Sequence, residues 1–370
     1  MKSVVLITSL MLFAGSIFPA YVANASDTVL SDHHSSQDDW DALFYRINLN
    51  LDFDNSAIDG SVYLEGRSLI NGLSFIRLDL YRYDYDPFHY MHVDSVKVVG
   101  IANPTGTQVD SFVDISFQPQ TYNYNDTFRV TVYYHGKPGY ALTQLGFIFG
   151  AHARTDICYN MSEPVYARRW WPCKDRVEDK ADSIYMTVTY PDNFRCASNG
   201  TLNMEFVSGG RETSYWREHY PIATYQVGIG CTNYVRLDTS YILQSGNGTM
   251  PIWFYVYPEN VATARDSFPK VVEMLDTFET CFGAYPYSGI YPPYVMEKYG
   301  MMQVPIRLGA MEYPTITAIC DTQYGQTPLS HELSHSWWGN CVTCSTWNHF
   351  WINEGFARYS ECIWVEKNMV

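Results

Sequence analysis

The five residues from His331 to His335 constrain the fold of this 370-residue chain more than any other part of its sequence. They read His-Glu-Leu-Ser-His, so the two histidines are four positions apart. Residues with this separation lie on one face of an α-helix, one turn from each other. A helix would therefore aim both imidazoles at one point, as two ligands of one metal ion require. We predict a helix of about three turns, capped by Thr327, with Pro328 at its first position and Gly339 beyond its end.

A third metal ligand is predicted at Glu354, which follows His335 after 18 intervening residues and opens a second stretch of helical character. Two imidazoles and one carboxylate leave a coordination position for water, which is the arrangement of catalytic zinc sites. Glu332 lies beside the first histidine, where its carboxylate can accept a proton from such a water. We therefore predict one Zn²⁺ per chain on His331, His335 and Glu354, with Glu332 as the general base. The alternative is a solvent-exposed helix with two histidines and an ordinary glutamate, and it leaves the position of Glu354 unexplained.

The first half of the chain shows the alternation that is typical of β-strands. Apolar and polar residues alternate from Tyr45 to Phe53, and the same pattern recurs over residues 128–133 and 184–189. A period of two predicts strands that bury one face and expose the other. We therefore predict a β domain over residues 26–245.

The pattern changes in the second half of the chain. Residues 252–257 read as one more strand, and apolar residues then recur at helical spacing from Val271 to Phe282. Pro269 and Gly283 border this second stretch, as is typical of a helix start and a helix end. An α-rich domain is predicted over residues 246–370, so the predicted fold class is α+β.

The first 25 residues resemble a secretory signal peptide. Lys2 precedes an apolar run from Val4 to Phe18, and Ala23-Asn24-Ala25 provides small residues at a cleavage position. The alternative is a membrane anchor, but the run is shorter than the roughly 20 residues that a bilayer requires. We expect cleavage after Ala25 and a secreted or periplasmic protein.

The charge of the chain restricts its partners. Lysine and arginine number 24 against 39 aspartates and glutamates, which gives a formal net charge of −15. Nucleic acids and anionic membranes require a basic surface that this composition does not supply. No stretch after residue 25 is apolar enough to predict a membrane span. Small neutral or cationic substrates suit such a protein better.

Several motifs, in order, resemble the aminopeptidase N family of zinc metallopeptidases, and the resemblance extends from about Tyr45 to the last residue. They are the pentad with Glu354, Asn353-Glu354-Gly355-Phe356-Ala357, Gly309-Ala310-Met311-Glu312, and the upstream segments 162–175 and 197–200. The resemblance implies an N-terminal antiparallel β saddle, then a thermolysin-like α/β catalytic domain. It also implies an enzyme that releases N-terminal residues from peptides, so the expected partners are peptides with a free N-terminus.

The resemblance implies that Glu312 binds the free α-amine of the substrate and that Gly309, Ala310 and Met311 contribute to the same binding site. A carboxylate that pairs with the α-ammonium would restrict cleavage to the bond after the N-terminal residue. Two positions differ from the family pattern, since Tyr313 replaces an asparagine and Met161 replaces a glutamine. Both family residues help to hold the N-terminal residue, so we expect altered binding of that residue here.

The family's transition-state tyrosine lies some tens of residues beyond the third metal ligand, whereas this sequence ends at Val370. We therefore expect a catalytic domain that is truncated on its C-terminal side. Loss of an oxyanion donor lowers turnover by roughly 10²–10³-fold. Two alternatives follow: a near-inactive fragment that acts as a binding module, and a zinc endopeptidase that does not recognise a free N-terminus.

Overall fold

The computed structural model describes residues 35–82, 89–139, 145–306, 309–320 and 325–368. The predicted signal peptide, residues 1–25, lies outside them. In chain order the first ten strands are β1 (Trp40–Asp52), β2 (Ala57–Ser68), β3 (Phe75–Asp79), β4 (Tyr90–Val98), β5 (Thr105–Val109), β6 (Phe112–Ser116), β7 (Thr127–Lys137), β8 (Gly146–His152), β9 (Thr155–Met161) and β10 (Ser183–Pro191). They are followed by β11 (Arg195–Ser198), β12 (Thr201–Ser208), β13 (Arg211–Glu218), β14 (Ile229–Thr232), β15 (Val235–Ile242), β16 (Thr249–Val256), β17 (Tyr299–Val304), β18 (Ala310–Met311) and β19 (Thr317–Cys320). The helices are α1 (Val261–Ser267), α2 (Pro269–Phe282), α3 (Gln326–Ser334) and α4 (Trp351–Asn368). None of these helices is both long and apolar enough to cross a membrane.

The first part of the chain forms a seven-stranded sheet in the order β12-β13-β10-β1-β2-β7-β4. The predicted strand periodicity is confirmed along β1, where Tyr45, Ile47, Leu49 and Leu51 are buried. The predicted antiparallel arrangement holds for five of the six neighbouring pairs, but β1 and β10 run parallel. Parallel neighbours need a long crossover, and more than 100 residues separate these two strands. A four-stranded sheet (β11-β14-β9-β8) and a three-stranded sheet (β3-β6-β5) complete this part.

A second, mixed sheet in the order β15-β16-β17-β19-β18 carries the site. Its three central strands are parallel, and all six residues of β17 are buried, as expected for a strand covered on both faces. The edge strand β15 precedes residue 246, so this sheet includes residues from the region assigned to the β domain. The boundary at 245/246 stays a prediction. β18 lies at the opposite edge and leads directly into Glu312.

Helix α3 differs from its prediction. It begins at Gln326 after an extended Gly325 and ends at Ser334, so Thr327 lies inside the helix and does not cap it. Pro328 is tolerated at the third position because the first four N–H groups of a helix have no intrahelical partner. The helix therefore has about two and a half turns, and His335 closes its C-terminus.

Helices α3 and α4 pack against each other through apolar residues. Leu329 and Leu333 from α3 and Trp364 from α4 are buried in one cluster. The indole N–H of Trp364 also donates to Oε1 of Gln326 at 3.1 Å. Burial of each such side chain contributes roughly 1.5–3 kcal/mol. This packing fixes the distance between the pentad and Glu354.

A buried ion cluster holds the segment 162–175. The Arg168 guanidinium lies 3.0 Å from Asp175 and 3.4 Å from Asp79, and all three side chains are at most 8% exposed. Loss of one partner from a buried pair typically destabilises a protein by about 3–5 kcal/mol, because the other charge stays buried. The cluster thus fixes the loop that carries Glu163.

Candidate functional site

The two histidines of the pentad face each other. Nε2 of His331 lies 3.2 Å from Nε2 of His335. The other ring nitrogens have partners of their own: Nδ1 of His331 lies 2.7 Å from Glu361, and Nδ1 of His335 lies 2.8 Å from the carbonyl oxygen of Trp338. These contacts orient both rings so that the Nε2 atoms converge.

Glu354 completes this group of side chains. Its Oε2 atom lies 3.3 Å from Nε2 of His331, and its Oε1 atom lies 3.5 Å from Nε2 of His335. One atom from each of the three residues lies within 4.8 Å of the others. The structure therefore brings together the three ligands predicted from the sequence, from the end of α3 and the first turn of α4.

The donor set fits Zn²⁺. Two imidazole nitrogens and a carboxylate oxygen are typical ligands of catalytic zinc, and four-coordinate zinc would keep one position for water. Zinc-binding histidines usually donate their second N–H to a carboxylate or a backbone carbonyl, which fixes the tautomer. His331 and His335 have one partner of each kind, Glu361 and the Trp338 carbonyl.

Close packing behind His335 depends on a glycine. Gly339 has φ of +122°, and a Cβ at this position would lie 2.9 Å from Nδ1 of His335. Any other side chain would disturb the contact between His335 and the Trp338 carbonyl. The Gly339 that the sequence places beyond the helix thus keeps the second histidine in position.

The charges of His331 and Glu354 stabilise each other. Burial alone would lower the pKa of His331, but hydrogen bonds with Glu354 and Glu361 hold it well above its usual value. Burial alone would raise the pKa of Glu354, yet His335 and His331 lower it to about 2. Glu354 is therefore an anion at neutral pH, as a metal ligand must be.

Glu332 lies next to this group in an environment that makes its carboxylate more basic. Burial raises the pKa of Glu332 to about 8, His331 opposes this, and the charges of Glu312 and Glu354 add to it. Ligand atoms of Glu332, Glu312 and His335 also lie within 4.8 Å of one another. A carboxylate with a raised proton affinity, beside the histidines, suits proton transfer.

Glu312 is 4% exposed and follows β18 directly. Within the described part of the chain, no hydrogen-bond donor reaches its Oε1 atom. Its backbone carbonyl accepts from Nδ2 of Asn340 at 2.6 Å. Gly309, Ala310 and Met311 lead into it, and Gly309 has φ of +106°. A buried carboxylate oxygen without a donor is a candidate acceptor for a ligand's N–H group.

Tyr313 is the first departure from the family pattern, and unlike Oε1 of Glu312 its polar atom has a hydrogen-bond partner. Its hydroxyl donates to the carbonyl oxygen of Asn160 at 2.6 Å, and the residue is 1% exposed. Its ring packs on Gly228, where a Cβ would lie 2.5 Å from it. Tyr313 therefore ties the Glu312 segment to β9 and β14. Met161, the second departure, is 8% exposed at the end of β9.

Sequence reasoning missed Glu163. Burial raises its pKa well above the usual value, and Glu312, Glu354 and Glu332 raise it further. The carboxyl group of Glu163 therefore interacts electrostatically with the three glutamates around the pentad. The available signal was its position in the motif of residues 162–175, where it precedes Pro164.

Comparison with known proteins agrees with this geometry. A model of the peptidase family M1 domain matches residues 271–369. The part of the chain that carries the pentad and Glu354 is thus similar to this domain. Leucine aminopeptidase 2 of Vanderwaltozyma polyspora is 27% identical over 336 residues, 85% of this chain and 46% of the relative. Human glutamyl aminopeptidase is 29% identical over 55% of this chain and 21% of its own length. This chain thus spans less than half the length of these curated relatives.

The fold of the chain is also similar to those of solved structures. An M1 zinc metallopeptidase from Deinococcus radiodurans superposes with a TM-score of 0.74 at 24% identity, covering 90% of this chain and 72% of that one. A mutant two-domain M1 zinc metallopeptidase bound to L-arginine gives the same TM-score, identity and coverage. These structures confirm the predicted α+β fold class.

The geometry of the three predicted ligands predicts the metal content of this chain. After removal of metal and reloading, elemental analysis should find about one zinc per chain, because three converging donors bind far more tightly than two. His335→Ala should lose this zinc. His349→Ala is the matched control, since His349 is exposed and outside the cluster. Equal zinc contents in the two variants would contradict the ligand assignment.

Proposed function

We propose that this chain is the metal-binding part of a zinc aminopeptidase that releases N-terminal residues from peptides. One observation carries the proposal. A set of three converging metal ligands lies beside a buried glutamate, Glu312, whose Oε1 has no donor within the described residues. The first feature suits hydrolysis of a peptide bond, and the second suits recognition of a free α-ammonium.

His331, His335 and Glu354 would hold the metal. Zinc, when bound, polarises the scissile carbonyl and makes a coordinated water acidic. Glu361 and the Trp338 carbonyl keep the two imidazoles in the required tautomer. The protein's contribution is the fixed geometry of these five groups.

Glu332 is proposed to accept the proton of the attacking water and to pass it to the leaving amine. Its carboxylate lies within reach of His335 and Glu312, so it stands between the metal ligands and the amine anchor. The raised pKa of Glu332, caused first by burial, gives the carboxylate enough basicity for this task.

Glu312 and Glu163 are proposed to bind the substrate's α-ammonium. Glu312 is buried, Glu163 is partly buried, and their carboxyl groups interact, so a cation between them would relieve their repulsion. A charge-assisted hydrogen bond to Oε1 of Glu312 would also supply its missing donor. The charge arrangement therefore favours a substrate with a free N-terminus. Gly309, Ala310 and Met311, which precede Glu312, are proposed to contribute to the same substrate-binding site.

The endopeptidase alternative is less well supported. An endopeptidase binds substrates without a nearby ammonium, and the carboxyl groups of the buried Glu312 and the partly buried Glu163 would then lack a counter-cation. The fragment alternative, a near-inactive chain that acts as a binding module, predicts the same metal ligands but little or no turnover. We also propose export through residues 1–25, on the evidence of their composition alone.

Glu332→Gln tests the proposed general base. The variant should retain zinc, because the three ligands are intact, and should lower the hydrolysis rate of a free-amine peptide by roughly 10²–10⁴-fold. The exposed Glu366 on α4 provides the control variant, Glu366→Gln. Turnover in Glu332→Gln close to that of the unmodified chain would exclude Glu332 as the base.

Glu312→Ala tests the amine anchor. Binding of a free-amine peptide should weaken by roughly 30-fold or more, since loss of a buried charge partner is worth about 2–5 kcal/mol. Binding of the same peptide with an acetylated N-terminus should change little. Calorimetric titration of the zinc-loaded protein measures both affinities. Equal losses for the two peptides would remove the anchor role and favour the endopeptidase alternative.

A further inference from the structure

The backbone turns sharply after Glu312, and the turn contains a strained residue. Thr315 has φ of +65°, in the left-handed region. Branching at Cβ makes this conformation unfavourable for threonine, and glycine is the usual residue there. Strained residues of this kind persist only where surrounding contacts over-determine them, and they cluster at functional sites.

Four contacts hold Thr315 in this conformation. Its Oγ1 atom accepts from the backbone N–H of Gly200 at 2.6 Å, and it lies 2.6 Å from the carbonyl oxygen of Pro314 and 3.2 Å from Oε2 of Glu218. Its carbonyl oxygen accepts from Nζ of Lys298 at 3.0 Å. Thr315, Glu218 and Lys298 are each only 1% exposed, so water does not compete with these bonds.

Most of these partners come from the predicted β domain. Gly200 and Asn199 belong to the motif of residues 197–200, whose role the metal chemistry leaves unexplained. Nδ2 of Asn199 donates to the carbonyl oxygen of Pro314 at 2.7 Å. Nζ of Lys298 also binds the carbonyl oxygen of Ser198 at 2.9 Å, which connects the two segments a second time.

Gly200 is suited to this contact for a steric reason. Its φ is +73°, and a Cβ there would lie 2.0 Å from the carbonyl oxygen of Arg217. The absence of a side chain lets the Gly200 backbone pack closely against β13 at Arg217 and Glu218. The glycine thus holds the backbone N–H that binds the Thr315 hydroxyl beside β13.

We propose that Thr315 is a positioning residue for the amine-binding carboxylate. Its hydroxyl links the turn after Glu312 to the β domain at Gly200 and Glu218, and this link aims the Glu312 side chain into the cleft. The inference rests on the proposed amine-anchor function of Glu312. A purely structural link would stabilise the fold without favouring free-amine ligands.

Four variants separate these roles. Thr315→Val keeps the size and branching of the side chain and removes the hydroxyl. Thr315→Ser keeps the hydroxyl, and Thr315→Gly removes both the hydroxyl and the strain. Thr213→Val is the control, because it removes another buried hydroxyl, one that pairs with Thr189 inside the seven-stranded sheet.

The zinc-loaded full chain is titrated with a free-amine dipeptide and with its N-acetylated form, and the thermal midpoint is recorded for each variant. Thr315→Val and Thr315→Gly should weaken binding of the free-amine dipeptide by about tenfold relative to the acetylated form. Thr315→Ser should stay within about twofold of the unmodified chain. Thr213→Val should lower the midpoint at most, without changing the ratio of the two affinities.

The outcomes are distinct. If Thr315→Val or Thr315→Gly lowers the midpoint but keeps the affinity ratio, the positioning role is wrong and the link is structural only. If Thr315→Val does not fold, Thr315→Gly decides, since it lacks the strain; unchanged selectivity there overturns the proposal. If the unmodified chain already binds both dipeptides equally, the amine anchor itself fails.

Discussion

The convergence of two imidazoles and one carboxylate is the constraint on which the rest of the structure depends. His331 and His335 come from the end of α3, and Glu354 comes from the first turn of α4, so their separation is set by how the two helices pack. Leu329, Leu333 and Trp364 supply the apolar contact. The apolar burial and the hydrogen bonds to Nδ1 of each histidine offset the free-energy cost of bringing these three polar side chains together.

The cleft around this centre has an excess of negative charge. The carboxyl groups that share it are Glu163, Glu312, Glu332 and Glu354. Burial and mutual repulsion raise the pKa of Glu163 and Glu332, whereas the two histidines lower that of Glu354. Such a site is stabilised by cations, and a divalent metal and an α-ammonium are the two cations that the proposed chemistry requires. The proposed metal binding and the proposed amine recognition would therefore rest on the same electrostatic imbalance.

Patterns that depend on neighbouring residues could be predicted from the sequence. The alternation along β1, the apolar spacing of α2 and the pentad on α3 all follow from local geometry, and each was found in the structure. The start of α3 was not predictable, because Thr327 is a good capping residue and the choice of Gly325 depends on tertiary packing. The conformation of Thr315 contradicts its own preference, and only contacts with residues more than 90 positions away explain it. Glu163 was missed for the same reason, since its partners are distant in the chain.

X-ray absorption at the zinc K-edge tests the central claim most directly, because it reports the atoms bound to the metal. The account predicts a four-coordinate zinc with two imidazole nitrogens at roughly 2.0–2.1 Å, carboxylate or water oxygens at roughly 2.0–2.2 Å, and no sulfur. A sulfur shell near roughly 2.3 Å would place the metal at cysteines such as Cys341 and Cys344. That result, or a spectrum with oxygen ligands alone, would contradict a centre built from His331, His335 and Glu354.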